Sequence, residues 1–189
     1  MADLGVLREI FAPYRATLQE TSADTTHTIF LCKSQEVVIN FDAYMQKDAQ
    51  KKASDTKNSF DALYFENQGT DIYCVEFKNQ KYSEIKNKEV KDKFIEGLSR
   101  LKELFRDNNL KMNDYNFNLF VVFKNPESNR AMTAYQIRTK KEEIIRGIES
   151  DEFVECLKSI NIHNPRILLD CVDNFKQEYK NIFRSVTEC

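Results

Sequence analysis

Two apolar-rich runs, residues 60–66 and 71–79, flank the turn signal Asn67-Gln68-Gly69-Thr70. Runs of this kind on either side of a short Gly-containing connection predict a β-hairpin, here turning at Gln68-Gly69. One face of that hairpin carries Asp61, Leu63, Phe65, Ile72, Cys74, Glu76 and Lys78, and the other carries Ala62, Tyr64, Tyr73, Val75 and Phe77. Both faces are largely apolar, as expected of strands covered on both sides by helices. The polar exceptions gather at one end of one face, where Asp61 falls directly opposite Glu76. Like charges opposed across a strand pair destabilise it. A divalent cation between the two carboxylates is the simplest reason for such a pair.

The pattern changes period after Asn79. Val90, Phe94, Leu98, Leu101 and Phe105 recur at three- and four-residue spacing with charges opposite, predicting one long helix over about residues 84–106 that ends at Asn108-Asn109. Residues 116–123, Asn-Phe-Asn-Leu-Phe-Val-Val-Phe, read as another buried strand. Strand, helix, strand over this length is a βαβ crossover, so the last strand is expected to run parallel to the Glu76 strand. Upstream, Leu4, Leu7, Ile10, Phe11, Tyr14 and Leu18 predict a helix over residues 4–20 that Pro13 kinks or splits. Residues 21–28 read as a loop. Residues 29–32 and 37–41 are short apolar runs of undecided type, and Asp42 is expected to cap a helix over residues 43–52. Downstream, Pro126 suggests a helix start, residues 134–138 a strand, and residues 140–148 and 151–160 helices. Residues 167–172 are either a strand or the start of a terminal helix, with Asp173 as an N-cap favouring the strand. The expected fold is α/β, a small mixed sheet flanked by helices, in one domain over residues 1–189.

Composition narrows the class without choosing a function. The 189 residues, 41% hydrophobic and 31% charged, are ordinary for a soluble globular protein, and 4 Gly with 3 Pro leave little room for long linkers. A formal net charge of −2 and a pI near 5.8 do not advertise a nucleic-acid binder, so that role needs a local basic patch. Cys32, Cys74, Cys156, Cys171 and Cys189 are odd in number and form no C-x-x-C, so neither a disulfide framework nor a zinc site is expected. No secretory leader is evident in residues 1–9 and no apolar run reaches membrane-spanning length, which gives a cytoplasmic expectation with no membrane partner. A phosphate-binding G-x-x-x-x-G-K-[ST] loop is absent, which removes NTP hydrolysis of that type.

The hairpin end carries the chemistry. Mg²⁺ prefers carboxylate oxygen and keeps several waters, so Asp61, Glu76 and the Phe77 carbonyl suffice as protein ligands, with Mn²⁺ as a possible substitute. Lys78, on the same face as Glu76, is placed to orient a water or to stabilise charge on a phosphate. Asp61 followed after 14 residues by Glu76-Phe77-Lys78 resembles the D…(D/E)-x-K signature of the PD-(D/E)XK nuclease superfamily, and residues 60–124 follow that superfamily's element order. The resemblance implies a restriction-endonuclease-like core, Mg²⁺ on Asp61 and Glu76, and a nucleophilic water assisted by Lys78. Residue 60 is Phe where the signature has Pro, which leaves the three polar roles intact. Many members add an acid from an N-terminal helix, and Glu9, Glu20, Glu36 and Asp42 all qualify.

The expected activity is metal-dependent hydrolysis of DNA phosphodiesters, endonucleolytic, by a homodimer or with a partner protein. Two alternatives stand beside it: a nuclease-fold binding or inhibitor module without catalysis, and an RNA endonuclease of the cap-snatching type, for which His27 is the relevant upstream histidine. Without a metal, Asp61 would simply pair with Lys78 while Glu76 stayed solvated. The lysine-rich run Lys78, Lys81, Lys86, Lys88, Lys91 and Lys93 offers phosphate contacts, Lys81 and Lys86 being nearest the hairpin end. The interleaved Glu84, Glu89 and Asp92 equally describe a solvated helix face.

Overall fold

The computed structural model describes residues 4–24, 29–52, 58–66, 69–80, 84–124, 139, 142–143, 145–163 and 165–171. In chain order the labelled elements are α1 Gly5–Ile10, β1 Arg15–Thr17, α2 Leu18–Thr21, β2 Ala23–Asp24, β3 Ile29–Phe30, β4 Val37–Asn40 and α3 Phe41–Lys51. They continue as β5 Ala62–Phe65, β6 Asp71–Lys78, α4 Asn87–Asp107, β7 Asn116–Phe123, α5 Asp151–Ser159 and β8 Arg166–Cys171. A six-stranded mixed sheet runs in the order β1-β4-β5-β6-β7-β8, and β2 and β3 form a separate two-stranded ribbon. The first four strands of the sheet pair antiparallel, while β6-β7 and β7-β8 are parallel. The α/β class and the mixed sheet flanked by helices are as the pattern of apolar positions predicts.

Register in the hairpin follows from side-chain alternation. Ala62 pairs with Val75 and Phe65 with Ile72, so the next step outward sets Asp61 against Glu76. The Asp61 N–H continues the ladder by donating to the Val75 carbonyl at 2.9 Å. Leu63, Phe65, Ile72 and Cys74 then pack into the larger core beneath α1, α3, α4 and α5. Ala62, Tyr73 and Val75 point to the opposite face, where Leu18, Cys32, Val38, Phe120 and Val122 join them. The turn residues Asn67 and Gln68 lie outside the described residues.

Helix α4 buries the predicted stripe of Val90, Phe94, Leu98, Leu101 and Phe105, together with Gly97. A Cβ on Gly97 would lie 2.7 Å from Cε1 and 2.9 Å from Cδ1 of Phe60, and 3.3 Å from Cε1 of Phe41. Phe60 and Phe41 are themselves stacked, ring centroids 4.5 Å apart and planes 6° from parallel, and neither is exposed. The glycine therefore lets α4 approach the sheet more closely than any side chain would allow. That approach sets how far residues one turn away reach over the sheet.

Several expectations upstream are settled or corrected. The helical pattern over residues 4–20 is split around Pro13, one of the two outcomes expected there: α1 ends at Ile10, and a 3₁₀ turn over Ala12–Tyr14 contains Pro13. Arg15–Thr17 then becomes an edge strand because Val37–Ile39 offers it a ladder partner. Residues 23–24 are a strand rather than loop. The cap of α3 is Asn40, whose Oδ1 accepts from the Ala43 N–H at 2.9 Å, leaving Asp42 in the first turn. Residues 166–171 are a strand, the first of the two readings for that segment. Cys32 is disulfide-bonded, where the scattered cysteines gave no expectation of disulfides, whereas Cys74 and Cys156 are free. Residues 142–143 and 145–148 are helical as expected, and the readings for Pro126, residues 134–138 and Asp173 lie outside the described residues. No helix among the described residues is long and apolar enough to cross a membrane.

Candidate active site

The polar end of the hairpin opens into a cavity of about 240 Å³ at the carboxyl end of β6, the edge of a parallel pair at which α/β sheets commonly bind ligands. Asp61, Glu76, Phe77, Lys78 and Lys93 line it, with residues 21–23 forming part of the opposite wall. Asp61 is held at both ends of its backbone: its N–H donates to Val75, and its carbonyl accepts from the Phe41 N–H at 3.0 Å. The first residue of α3 is thereby tied to the site. The Asp61 side chain crosses to β6, where Oδ2 accepts from the Phe77 N–H at 2.6 Å.

Glu76 has no exposed surface. Its Oε1 lies 2.8 Å from Lys93 Nζ and 3.0 Å from Lys78 Nζ, while Lys93 Nζ is also 3.7 Å from Asp61 Oδ1. One ammonium nitrogen thus reaches both carboxylates, so the two acids are close neighbours. Both ammonium groups converge on Oε1, Lys93 also as a hydrogen-bond partner of Glu76, and among the described residues Oε2 has no partner. A buried carboxylate oxygen without a partner is costly, and Oε2 keeps its lone pairs for a cation.

Electrostatics record the crowding. Burial, and then the charge of Glu76, hold the Asp61 carboxyl well above the ordinary carboxylate range, against the opposing pull of Lys93 and the Phe77 N–H. Burial alone would lower the pKa of Lys93, but the Asp61 and Glu76 carboxylates outweigh it and the ammonium is held more firmly than usual. The carboxylate of Asp42 acts on both groups in the same sense, raising each. Asp42 itself accepts from Ser59 Oγ at 3.0 Å and Gln46 Nε2 at 2.7 Å.

Asp61, Glu76, Phe77 and Lys78, four residues singled out from the pattern, come together. Lys81 and His27 lie outside the described residues. Lys86 precedes α4, is exposed, pairs with Glu89 at 3.0 Å and does not line the cavity. Of the four acids considered as a further contributor, Asp42 is the one whose charge acts on Asp61 and Lys93. Glu20 is engaged in a capping box with Thr17, Glu9 is exposed on α1, and Glu36 borders a different groove. Lys93, read as one member of a charged run, proves to be the residue that bridges the acids. A signal for it was present: Gly97, one helical turn later inside an apolar stripe, marks a close approach on that face.

A hard divalent ion fits this donor set. Two neighbouring carboxylates, one with an unpartnered buried oxygen, plus a backbone carbonyl and water meet the requirements of Mg²⁺. No cluster of three or more His, Cys, Asp or Glu ligands occurs among the described residues. Comparison of the chain with models of protein families, with curated proteins and with solved structures gives no match.

Proposed function

We propose that the chain is a metal-dependent nuclease of the PD-(D/E)XK type, with a restriction-endonuclease-like core, that hydrolyses DNA phosphodiester bonds. The observation that carries the reading is the pair Asp61 and Glu76, brought to one end of the hairpin beside Lys78 with the buried Glu76 Oε2 left without a partner among the described residues. Asp61, Glu76 and the Phe77 carbonyl would hold Mg²⁺, or Mn²⁺ in its place. The bound ion would supply positive charge at the phosphoryl oxygen and lower the pKa of a water. Lys78 Nζ, 3.0 Å from Glu76 and lining the cavity, would orient the attacking water or neutralise charge on the phosphate. Asp42 supports the site electrostatically from the first turn of α3. The alternation of the two strands is what makes this order of acid, acid and ammonium possible on one face.

The test is cleavage of plasmid DNA, single-stranded DNA and RNA with Mg²⁺, Mn²⁺ or EDTA, using wild type, Asp61→Ala and Lys78→Ala. Metal-dependent cleavage of DNA that both substitutions abolish is the expected result. Preferential cleavage of RNA would move the assignment to an RNA endonuclease of the same superfamily. Cleavage indifferent to both substitutions would remove the site assignment.

One observation favours a second reading, a binding or inhibitor module on a nuclease-like fold. Two carboxylates here face two ammonium groups, so charge at the site is already balanced by the protein itself. Absence of both cleavage and cation binding would select that reading. We further place the protein in the cytoplasm on its free thiols Cys74 and Cys156, although the disulfide at Cys32 argues the other way. Thiol alkylation in intact cells, followed by mass spectrometry of Cys32, decides between them. Action on two DNA strands by so small a chain would call for a homodimer or a partner protein, which sedimentation with and without DNA would reveal.

A further inference from the structure

We propose that Lys93 is a displaceable internal cation: its ammonium competes with the divalent ion for the space between Asp61 and Glu76, and it must swing out for that ion to bind. The inference rests on the metal reading above and adds a residue that the D…(D/E)-x-K signature does not contain.

The geometry is specific to this ammonium. Lys93 Nζ lies 2.8 Å from Glu76 Oε1 and 3.7 Å from Asp61 Oδ1, whereas Lys78 Nζ has an ion pair with Glu76 alone among the described residues. A divalent ion shared by these two carboxylates would occupy the same region between them. Its charge would repel the ammonium at that range, and the low-dielectric surroundings of the fully buried Glu76 weaken that repulsion little. The two cations therefore exclude each other.

Lys93 also has somewhere to go. Its side chain is 27% exposed, against 11% for Lys78, and both line the same open cavity. The backbone that carries it is fixed, because Gly97 seats α4 against Phe60, the residue preceding Asp61. Rotation of a flexible four-carbon stem is thus sufficient, with no shift of the helix. Once displaced, the ammonium remains at the cavity and is free to meet an anion such as a phosphate oxygen. Binding of the divalent ion would in this way release a phosphate contact that the carboxylates otherwise engage.

Two measurements test the displacement without relying on turnover. The first is isothermal titration of Mn²⁺ into wild type, Lys93→Met and Asp61→Ala at mildly alkaline pH, where protons compete least for the carboxylates. Removal of the competing ammonium should tighten Mn²⁺ binding by about tenfold, while Asp61→Ala should lose it. The second uses unsubstituted protein: acylation of Lys93 by an amine-reactive ester, read by mass spectrometry with the exposed Lys86 as internal reference. Saturating Mn²⁺ should raise the Lys93 rate several-fold and leave Lys86 unchanged. Equal Mn²⁺ affinity in wild type and Lys93→Met, or a Lys93 acylation rate indifferent to bound Mn²⁺, overturns the inference and leaves the metal site standing. If neither wild type nor Lys93→Met binds Mn²⁺, the metal reading itself falls and takes this one with it. Should Lys93→Met not fold, the acylation measurement decides alone.

Discussion

Gly97→Ala sets two effects of known size against each other. In an exposed helix interior the change would stabilise by about 1 kcal/mol through helix propensity. Here the new methyl group would meet Phe60 at 2.7 Å and 2.9 Å and Phe41 at 3.3 Å. Carbon contacts are comfortable at roughly 3.5–4.0 Å, so the helix or the ring must yield by about 1 Å. Phe60 has little freedom to yield, since it is unexposed, stacked on Phe41 and within 5.9 Å of the Phe94 ring. Overpacking of this kind costs about 1–3 kcal/mol, so the sum is a net loss of roughly 0–2 kcal/mol in place of the gain that propensity alone gives. The site should feel the same shift. Lys93 lies one turn from Gly97, and moving its Cα by about 1 Å is enough to disturb an ion pair at 2.8 Å. Urea unfolding with a two-state fit measures the first effect, and Mn²⁺ titration together with cleavage measures the second. A variant about 1 kcal/mol more stable than wild type, with Mn²⁺ affinity unaltered, would refute the close-approach argument.

Other consequences are more direct. Asp61→Asn should raise thermal stability near neutral pH, because it removes one of two crowded carboxylates while its amide oxygen still accepts from Phe77. The folded state holds the Asp61 proton more tightly than the unfolded chain does. Wild-type stability should therefore increase as pH falls from the raised value toward 3.8, stay level below it, and carry the full cost above the raised value. Thermal denaturation across the acid range should show that dependence weakened in Asp61→Asn; parallel profiles for the two proteins would contradict it. By the same protonation, Mn²⁺ affinity should drop on acidification at pH values above the ordinary carboxylate range, which calorimetry at several pH values checks. Leu98→Ala, at a position with no exposure in the α4 stripe, should cost about 3 kcal/mol in urea unfolding, and a loss below about 1 kcal/mol would mean the α4–sheet contact is loose. Lys86→Ala should leave cleavage close to wild type, since Lys86 is paired with Glu89 outside the cavity; a large loss would restore it to the phosphate-binding role expected from its position in the chain.

The hairpin, α4 and β7 were legible because their information is local. Alternation in a strand and the 3.6-residue period of a helix assign each side chain to a face without knowledge of the partner. A hairpin then links face to register, so the opposition of Asp61 and Glu76 and the shared face of Lys78 follow from the sequence. Parallel pairing of β6 with β7 follows too, since a helix of this length between two strands returns the chain in the same direction.

What the sequence could not decide depends on partners far away in the chain. Arg15–Thr17 has no strand period of its own and becomes an edge strand through Val37–Ile39, while Arg166–Cys171 becomes a strand by pairing beside β7. That Asp42, of the four acids, is the one whose charge acts on Asp61 and Lys93 is likewise tertiary, since the Phe41 N–H reaches the Asp61 carbonyl and carries the start of α3 to the cavity. Lys93 is the clearest case. Its place on a charged helix face was visible, but its reach to two carboxylates depends on how closely α4 lies on Phe60, a distance that only packing at Gly97 fixes. Periodicity determined which acids meet; interatomic contact between helix and sheet decided which ammonium stands between them.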